Sequence, residues 1–253
     1  MYNLIKWKAR QHSQLVKLGF NHHLFMELLS RRYRKSSNEK WKELPLIKAV
    51  SDGLIFSEIT PPSALREIFV EDIYNVKGFV PEKKQTVIDV GANFGDSAIW
   101  WAKAFGSKVI AFEPLVNVFN VLEENIKLND ANVTAYNLAL GNGEEISGNS
   151  DGNMFCSGGD IKLKSEKLDS FSFERVDLLK IDVEGFEMDV LLGAENTIRQ
   201  FKPRIIIETH SKELRKKCHA FLSSHGYSLK VEGRTVTTKS PGMDKITNLF
   251  YSV

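Results

Sequence analysis

Cysteine is scarce in this 253-residue sequence, and long apolar runs are absent. Its two cysteines, Cys156 and Cys218, form no C-x-x-C pair, and two thiols are too few for the disulfide framework of a small secreted domain. No stretch approaches the roughly 18 consecutive apolar residues of a membrane-spanning helix. The N-terminus lacks the apolar core of a signal peptide. We therefore expect a cytoplasmic protein with no membrane span.

The sequence also lacks the G-x-G-x-x-G fingerprint of dinucleotide-binding folds. In its place, residues 87–97 read VIDVGANFGDS, an apolar run followed by Gly91 and Gly95 with Asn93 between them. The β-branched residues of the run favour a buried strand, and the glycines permit a sharp turn into a helix, which we predict over Asp96–Phe105. Such a strand–turn–helix unit presents free backbone N–H groups to a ligand at the edge of a sheet.

Two acidic residues flank this turn and indicate which ligand it binds. Asp89 lies near the end of the first strand, where its charge would repel a pyrophosphate but not a ligand that carries an amine and a sulfonium. Glu113 follows the next predicted strand, Lys108–Phe112, where a carboxylate can accept hydrogen bonds from ribose hydroxyls. Together the two residues favour S-adenosylmethionine over NAD. The alternative is that Asp89 only caps the first helix and Glu113 only starts the second, with Pro114 at its first position.

A second group of polar residues lies at the ends of the fourth and fifth predicted strands. Asp182 ends the fourth strand, with Lys180 two residues earlier on the same face and Glu184 in the following turn. Glu208 and His210 end the fifth strand, at the sheet edge where ligands of open α/β folds bind. A histidine there can deprotonate a hydroxyl while a carboxylate orients it. Asp, Glu and His could instead hold a divalent cation that polarises a substrate oxygen, although we assign no metal site from the sequence.

Each of these residues also has a purely structural interpretation. Lys180 could simply pair with a carboxylate. His210 could cap the helix that we predict from residue 212. Glu187 is expected on the surface of the helix that begins near residue 184. Asp182 is the residue that we rank first as catalytic.

The order of predicted elements indicates an α/β protein with a mostly parallel sheet. Strands and helices alternate over residues 87–225, which requires right-handed crossovers. The third strand is predicted over residues 133–139. A closing hairpin over residues 227–253 suggests an antiparallel edge. Residues 141–160 contain six glycines, and we expect a long loop there that closes over the site. A helix is also predicted over residues 63–74.

Charge is distributed unevenly along the chain. Residues 1–50 hold 11 Lys and Arg and 3 Glu, a net charge of +8, whereas the remaining residues carry −6. A basic stretch of this kind can face an anionic substrate, nucleic acid or an acidic partner, and a solvated helical face is the plainest interpretation. We assign residues 1–62 to a basic, mainly helical appendage and residues 63–253 to the ligand-binding domain.

With both groups of polar residues in view, the sequence resembles the FkbM-type methyltransferases, which depend on S-adenosylmethionine and have the class I methyltransferase fold. The resemblance runs from about residue 70 to the C-terminus. Its most specific part is residues 177–187, DLLKIDVEGFE. Residues 87–95, 111–114 and 137–141 also match the pattern of the family.

The resemblance implies a seven-stranded sheet with one antiparallel strand, helices on both faces, and methyl transfer to a hydroxyl, often on a sugar or a natural product. It implies that the first turn lines the methionine end of the cofactor, that Glu113 takes the ribose, and that residues 137–139 border the adenine. The expected cofactor-binding residues are Asp89, Gly91, Ala92, Asn93, Gly95, Glu113, Pro114, Asn137 and Ala139. The expected catalytic residues are Asp182, His210, Glu184 and Lys180, with Glu208 in support.

We therefore expect an O-methyltransferase that acts on a small-molecule or carbohydrate hydroxyl. A second hypothesis keeps the fold but makes RNA the acceptor, bound by the basic N-terminal region. Against it, the fourth strand is not followed by the Asn/Asp-Pro-Pro-aromatic run of enzymes that methylate amino groups of nucleic acids, and no cysteine stands there to attack a pyrimidine. A third hypothesis is a non-catalytic binding module, which the intact Asp89, Glu113 and Asp182 disfavour.

Overall fold

The computed structural model describes residues 53–237 and 245–253, except residues 58, 62, 63, 151 and 153. The helical structure that we predicted within residues 1–52 lies outside the described residues. The chain forms two compact units, Met1–Asp72 and Ile73–Val253. The predicted boundary between residues 62 and 63 falls on residues that are not described and stays a prediction.

The predicted helix over residues 63–74 is much shorter in the structure. It is a five-residue π-helix, Glu67–Glu71, and Asp72 ends it in a left-handed conformation with φ of 58°. The Asp72 N–H donates to the Glu67 carbonyl, which is the wide hydrogen bond of a π-turn. The apolar residues Ile68 and Phe69 are buried within this stretch.

The second unit contains the predicted sheet. Its seven strands, numbered along the whole chain, are β1 Thr86–Val90, β2 Lys108–Phe112, β3 Val133–Tyr136, β8 Leu178–Ile181, β9 Arg204–Thr209, β10 Ser228–Thr237 and β11 Lys245–Ser252. They are joined in the order β10-β11-β9-β8-β1-β2-β3. All neighbouring pairs are parallel except the two that involve β11. The prediction of a mostly parallel seven-stranded sheet with one antiparallel strand is confirmed.

The closing hairpin differs from the expected antiparallel edge. Strand β11 inserts between β9 and β10, so the antiparallel strand is interior and β10 forms the edge. Residues Leu249, Phe250 and Tyr251 are fully buried, which explains the interior position.

Helices cover both faces of this sheet. The side chains of Ile88 and Val90 on β1 belong to an apolar cluster with Val190 and Ile198, which lie on the two helices after β8. Because strand side chains alternate, Asp89 faces the opposite side, where it meets the first helix. The described α-helices are α1 Asp96–Phe105, α2 Val116–Asn129, α3 Glu187–Gly193, α4 Glu195–Phe201 and α5 Lys212–Ser224. No helix in the described part of the chain is long and apolar enough to cross a membrane.

The glycine-rich stretch at residues 141–160 is not the loop that we expected. It contributes two strands to a second, four-stranded sheet of order β4-β7-β5-β6. The predicted third strand over residues 133–139 accordingly ends at Tyr136, and the chain leaves the main sheet to pair with β7. The strands of this second sheet are β4 Ala139–Leu140, β5 Glu145–Ser150, β6 Phe155–Ser157 and β7 Ile161–Glu166.

The second sheet contacts the main sheet at the carboxyl ends of the parallel strands, where the predicted site lies. The rings of Phe155 and Phe186 stack with centroids 5.6 Å apart. The Ser157 N–H donates to the Glu184 carbonyl at 2.9 Å. The Asn117 side chain donates to the Gly152 carbonyl. These contacts join the sheet both to the turn after β8 and to the start of α2.

Candidate active site

The turn after β1 is held in place by its neighbours on both sides. The N–H groups of Gly91 and Ala92 both donate to the Phe112 carbonyl at 3.0 Å, which ties the turn to the end of β2. Gly91 has φ of +77°, and a Cβ there would overlap the carbonyl oxygen of Asp182. The turn closes with a 2.8 Å hydrogen bond from the Gly95 N–H to the Ala92 carbonyl. Only glycine at position 91 therefore allows this turn to pack against the end of β8.

Glu113 lies beside this turn, as predicted. Its carboxylate accepts the Asn93 N–H and the Leu115 N–H, each at 3.0 Å. Burial raises the pKa of Glu113 to about 7, although these two N–H groups act in the opposite direction. The side-chain amide of Asn137 donates to the carbonyls of Glu113 and Pro114 at 2.9 and 3.0 Å. The predicted cofactor residues at the ends of β1, β2 and β3 therefore converge.

Two details of this region differ from the predictions. Pro114 is not the first residue of a helix: α2 begins at Val116, because Leu115 is extended. Ala139 is buried in a cluster with Ile146 of the second sheet. Contact of Asn137 and Ala139 with an adenine stays a prediction.

Asp89 and Lys180 form a buried ion pair. The two residues are register partners on β1 and β8, and the Lys180 Nζ lies 3.1 Å from Asp89 Oδ1. The Ser97 hydroxyl donates to the other oxygen of Asp89 at 2.6 Å. Lys180 also donates to the Gly91 carbonyl at 2.8 Å and lies 3.6 Å from Asp182 Oδ2. This lysine therefore holds the glycine turn against the end of β8.

Burial and neighbouring charges shift the pKa of both members of this pair. Burial raises the pKa of Asp89, whereas Lys180 and Ser97 lower it. Burial alone would lower the pKa of Lys180, but the charges of Asp89, Asp182 and Asp96 outweigh it and raise the pKa above its ordinary value. Asp89 is wholly buried and contacts Lys180 and Ser97. Contact of Asp89 with the cofactor and a catalytic part for Lys180 stay predictions.

His210 is the centre of the second group of polar residues. It is 1% exposed, and four carboxylates surround its ring. The four measured distances run from Nδ1 to Glu187 Oε1 at 2.7 Å, and from Nε2 to Glu184 Oε2 at 3.1 Å, Asp182 Oδ1 at 3.8 Å and Glu208 Oε1 at 3.8 Å. The predicted convergence of the residues at the ends of β8 and β9 is therefore present in the structure.

The protonation state of His210 does not suit a general base. Burial lowers its pKa, but the hydrogen bond to Glu187 and the charges of Glu187, Glu184 and Asp182 outweigh burial and raise the pKa to about 10. With no cation bound, the ring therefore favours the imidazolium form, in which both nitrogens carry a proton and neither can act as a base. The side chains of Asp182 and Glu184 are 20% and 24% exposed, which leaves these two carboxylates accessible to a substrate.

The structure contradicts three of the purely structural interpretations, those for Glu187, His210 and Asp89. Glu187 is not on the helix surface but fully buried. Its Oε1 accepts the Gly185 N–H at 2.9 Å and also contacts His210. His210 does not cap α5, since the Ser211 hydroxyl accepts the Leu214 N–H at 3.1 Å. Asp89 does not cap α1, whose N-cap is Gly95 without a side-chain hydrogen bond.

Sequence reasoning missed the contact of Tyr74 with the site. Its hydroxyl donates to Asp182 Oδ2 at 3.4 Å, and its ring lies 6.0 Å from the Lys180 Nζ. Tyr74 falls within the part of the chain that resembles the family, but the sequence did not mark it as a site residue. Asp182, Glu208 and His210 could also hold a metal ion, because each offers a ligand atom within 4.8 Å of the other two.

The fold defines the class of this protein. A seven-stranded sheet in this order, with β11 antiparallel and a glycine turn after β1, is the class I methyltransferase fold. The crystal structure of methyltransferase FkbM from Methylobacillus flagellatus KT is similar, with a TM-score of 0.50 and 14% sequence identity, over 95% of this chain and 60% of that one.

The family follows from the sequence comparison. A model of the methyltransferase FkbM domain matches residues 89–229, more than half of the chain. The chain belongs to the FkbM methyltransferase family, and the resemblance seen in its motifs is confirmed.

Two curated relatives are similar to this chain in sequence. The AMB antimetabolite synthetase AmbE of Pseudomonas aeruginosa is 29% identical over 231 residues, which is 70% of this chain and 11% of AmbE. The chain thus spans about a tenth of that much longer protein. Methyltransferase sdnD of Sordaria araneosa is 26% identical over 220 residues, 68% of this chain and 84% of that protein.

Proposed function

We propose that this protein is an S-adenosylmethionine-dependent O-methyltransferase that acts on a hydroxyl of a small molecule or carbohydrate. The observation that carries the proposal is the contact between Gly91 and the Asp182 backbone. It supports the proposal because the glycine turn, which would hold the cofactor, lies directly beside a group of carboxylates. A methyl donor and an acceptor hydroxyl bound on the two sides of this contact would meet at its solvent-facing edge.

The residues at the turn fit this cofactor. Each oxygen of Glu113 accepts one backbone N–H and retains a lone pair for a ribose hydroxyl. The Oδ1 of Asn93 is buried and has no hydrogen-bond partner among the described residues, which suits an ammonium donor such as that of the methionine part. When bound, S-adenosylmethionine supplies an electrophilic methyl group on its sulfonium.

The carboxylates act on the acceptor. The acceptor oxygen would take up the methyl group, and the hydroxyl would have to give up its proton. Glu184 is accessible and takes this proton, while Asp182, held by Tyr74 and Lys180, orients the hydroxyl.

The small-molecule acceptor is supported by the relatives. AmbE is described as an antimetabolite synthetase, a name that points to a small product. RNA is the competing acceptor, since residues 1–50 carry a net charge of +8.

Calorimetry and a labelled-methyl assay test the proposal together. We expect wild type to bind S-adenosylmethionine, and Glu113→Ala to bind it at least tenfold more weakly, because the ribose loses its acceptor. Glu124→Ala, which removes an exposed carboxylate of α2, is the matched control and should bind as wild type does. Asp182→Asn should retain cofactor binding and lose at least 90% of methyl transfer.

The acceptor is identified by offering separated fractions of a cell extract with labelled cofactor. Label in the low-molecular-weight fraction, as a methyl ether by mass spectrometry, supports the proposal. Label confined to RNA would assign the competing acceptor instead. Absence of cofactor binding by wild type would remove the proposal altogether.

A further inference from the structure

We propose that Asp182, Glu208 and His210 bind a divalent cation such as Mn²⁺ at the site where the acceptor hydroxyl is oriented. This inference rests on the proposed function for its catalytic meaning, but the binding itself does not depend on a cofactor or an acceptor. The ligand atoms would be one carboxylate oxygen from each acid and the His210 Nε2, all within 4.8 Å of one another, and the cation would take the place of the proton that Nε2 carries in its absence.

The distances suit a metal ion after a small adjustment. Nε2 lies 3.8 Å from Asp182 Oδ1 and 3.8 Å from Glu208 Oε1. Neighbouring ligands around an octahedral ion with bonds of about 2.1 Å stand roughly 3 Å apart. Each ligand would therefore move inward by less than about 1 Å, which side-chain torsions allow. Two carboxylates and one imidazole form a mixed oxygen and nitrogen donor set, which Mn²⁺ accepts.

Each ligand is oriented by a different residue on its far side. The His210 Nδ1 contacts Glu187 at 2.7 Å, so Nε2 is turned toward the carboxylates. The Glu208 Oε2 accepts a hydrogen bond from Asn248 of β11. The Asp182 Oδ2 accepts from the Tyr74 hydroxyl at 3.4 Å. Partners of this kind commonly fix the ligands of protein metal sites.

The charge balance of the group also calls for a cation. Four carboxylates, those of Asp182, Glu184, Glu187 and Glu208, surround one imidazole, so negative charges outnumber positive ones even when the ring is protonated. Lys180 lies 3.1 Å from Asp89 and 3.6 Å from Asp182, so it offsets only part of this charge. Glu187 is fully buried, and its Oε2 has no hydrogen-bond partner among the described residues. Excess negative charge with an unpaired buried oxygen is costly unless a positive ion is bound nearby.

The cation would have a defined role in the reaction. Three protein ligands leave coordination positions on the exposed side of Asp182 for water and the acceptor oxygen. An acceptor hydroxyl bound there would lose its proton more readily, and Glu184 would receive it.

Electron paramagnetic resonance of Mn²⁺ tests the site in the full-length, metal-stripped protein without cofactor or acceptor. We expect one Mn²⁺ to bind per chain, with ¹⁴N coupling from an imidazole in the pulsed spectrum. Asp182→Asn, Glu208→Gln and His210→Asn should each weaken binding at least tenfold, and Glu187→Gln about 10–100-fold, because it only orients the ligand. Glu213→Gln, which changes an exposed carboxylate of α5, should bind Mn²⁺ as wild type does.

Two controls separate this inference from the proposed function. Circular dichroism and binding of S-adenosylmethionine by each variant establish that it is folded. Cofactor binding without any Mn²⁺ binding, or Mn²⁺ binding without ¹⁴N coupling, would overturn the metal site and leave the methyltransferase assignment standing. Mn²⁺ binding with no cofactor binding would overturn the proposed function but not the site.

Discussion

Glu113 changes its charge near neutral pH, and its place beside the glycine turn makes that change important for ligand binding. Burial raises its pKa from 4.5 to about 7. The ionised carboxylate is the better acceptor for ribose hydroxyls, since charged hydrogen bonds are the stronger ones. Cofactor binding at this residue should therefore favour the ionised form and be linked to the release of a proton.

We expect the affinity for S-adenosylmethionine to rise with pH and level off above about 7. Below that pH the ionised fraction of Glu113 falls tenfold per unit, and the affinity should fall with it. Calorimetry between pH 5.5 and 8.5, in two buffers with different ionisation enthalpies, measures both the affinity and the released proton. Glu113→Gln should flatten the profile, because an amide does not ionise. Parallel profiles for wild type and Glu113→Gln would refute the linkage.

At the scale of single residues, the sequence predicted which side chains converge but not all of their roles. The ends of neighbouring parallel strands meet by geometry, so Asp182, Glu208 and His210 were predictable. The inward turn of Glu187 was not, because a residue in the first helical turn can point either to solvent or back to the preceding loop. Tyr74 reaches Asp182 across 108 residues of chain, and no local pattern marks such a contact.

At the scale of elements, prediction succeeded where the pattern is local. The bounds of α1 and β2 were predicted as the structure has them, because β-branched runs and glycines set them within a few residues. The second sheet was missed because its strands are polar and short. Its register depends on pairing between β5 and β7 and between β4 and β7, which the sequence of residues 141–160 alone does not encode.

The glycine turn offers a prediction at the same scale. In Gly91→Ala the new Cβ would overlap the Asp182 carbonyl, and the positive φ would add about 1–2 kcal/mol of strain. We expect at least a tenfold loss of affinity for S-adenosylmethionine by calorimetry, because the turn must move away from β8. Gly226→Ala is the matched control, since Gly226 has φ of +84° and nothing within 4 Å of its Cβ position. It should lose stability but not affinity, whereas equal affinity in Gly91→Ala and wild type would contradict the packing argument.

At the scale of the whole molecule, the order of strands decides which side chains become neighbours. Alternating elements predicted a parallel sheet, but the insertion of β11 between β9 and β10 depends on long-range pairing. That insertion places Asn248 against Glu208, and the adjacency of β1 and β8 places Lys180 against Asp89. The stability of the sheet and the shape of the site therefore rest on some of the same contacts.

Lys180 makes this dependence measurable in the unfolding of the whole protein. In Lys180→Met the buried charge of Asp89 loses its partner, and breaking a buried ion pair costs about 3–5 kcal/mol. We expect urea unfolding to show a loss of that order. Lys108→Met, an exposed change at the start of β2, should stay within about 0.5 kcal/mol of wild type. The double variant Asp89→Asn/Lys180→Met should recover part of the loss, because no unpaired charge is left buried. A Lys180→Met protein as stable as wild type would show that the pair does not support the sheet, and the same lysine could then not be what holds Gly91 against β8.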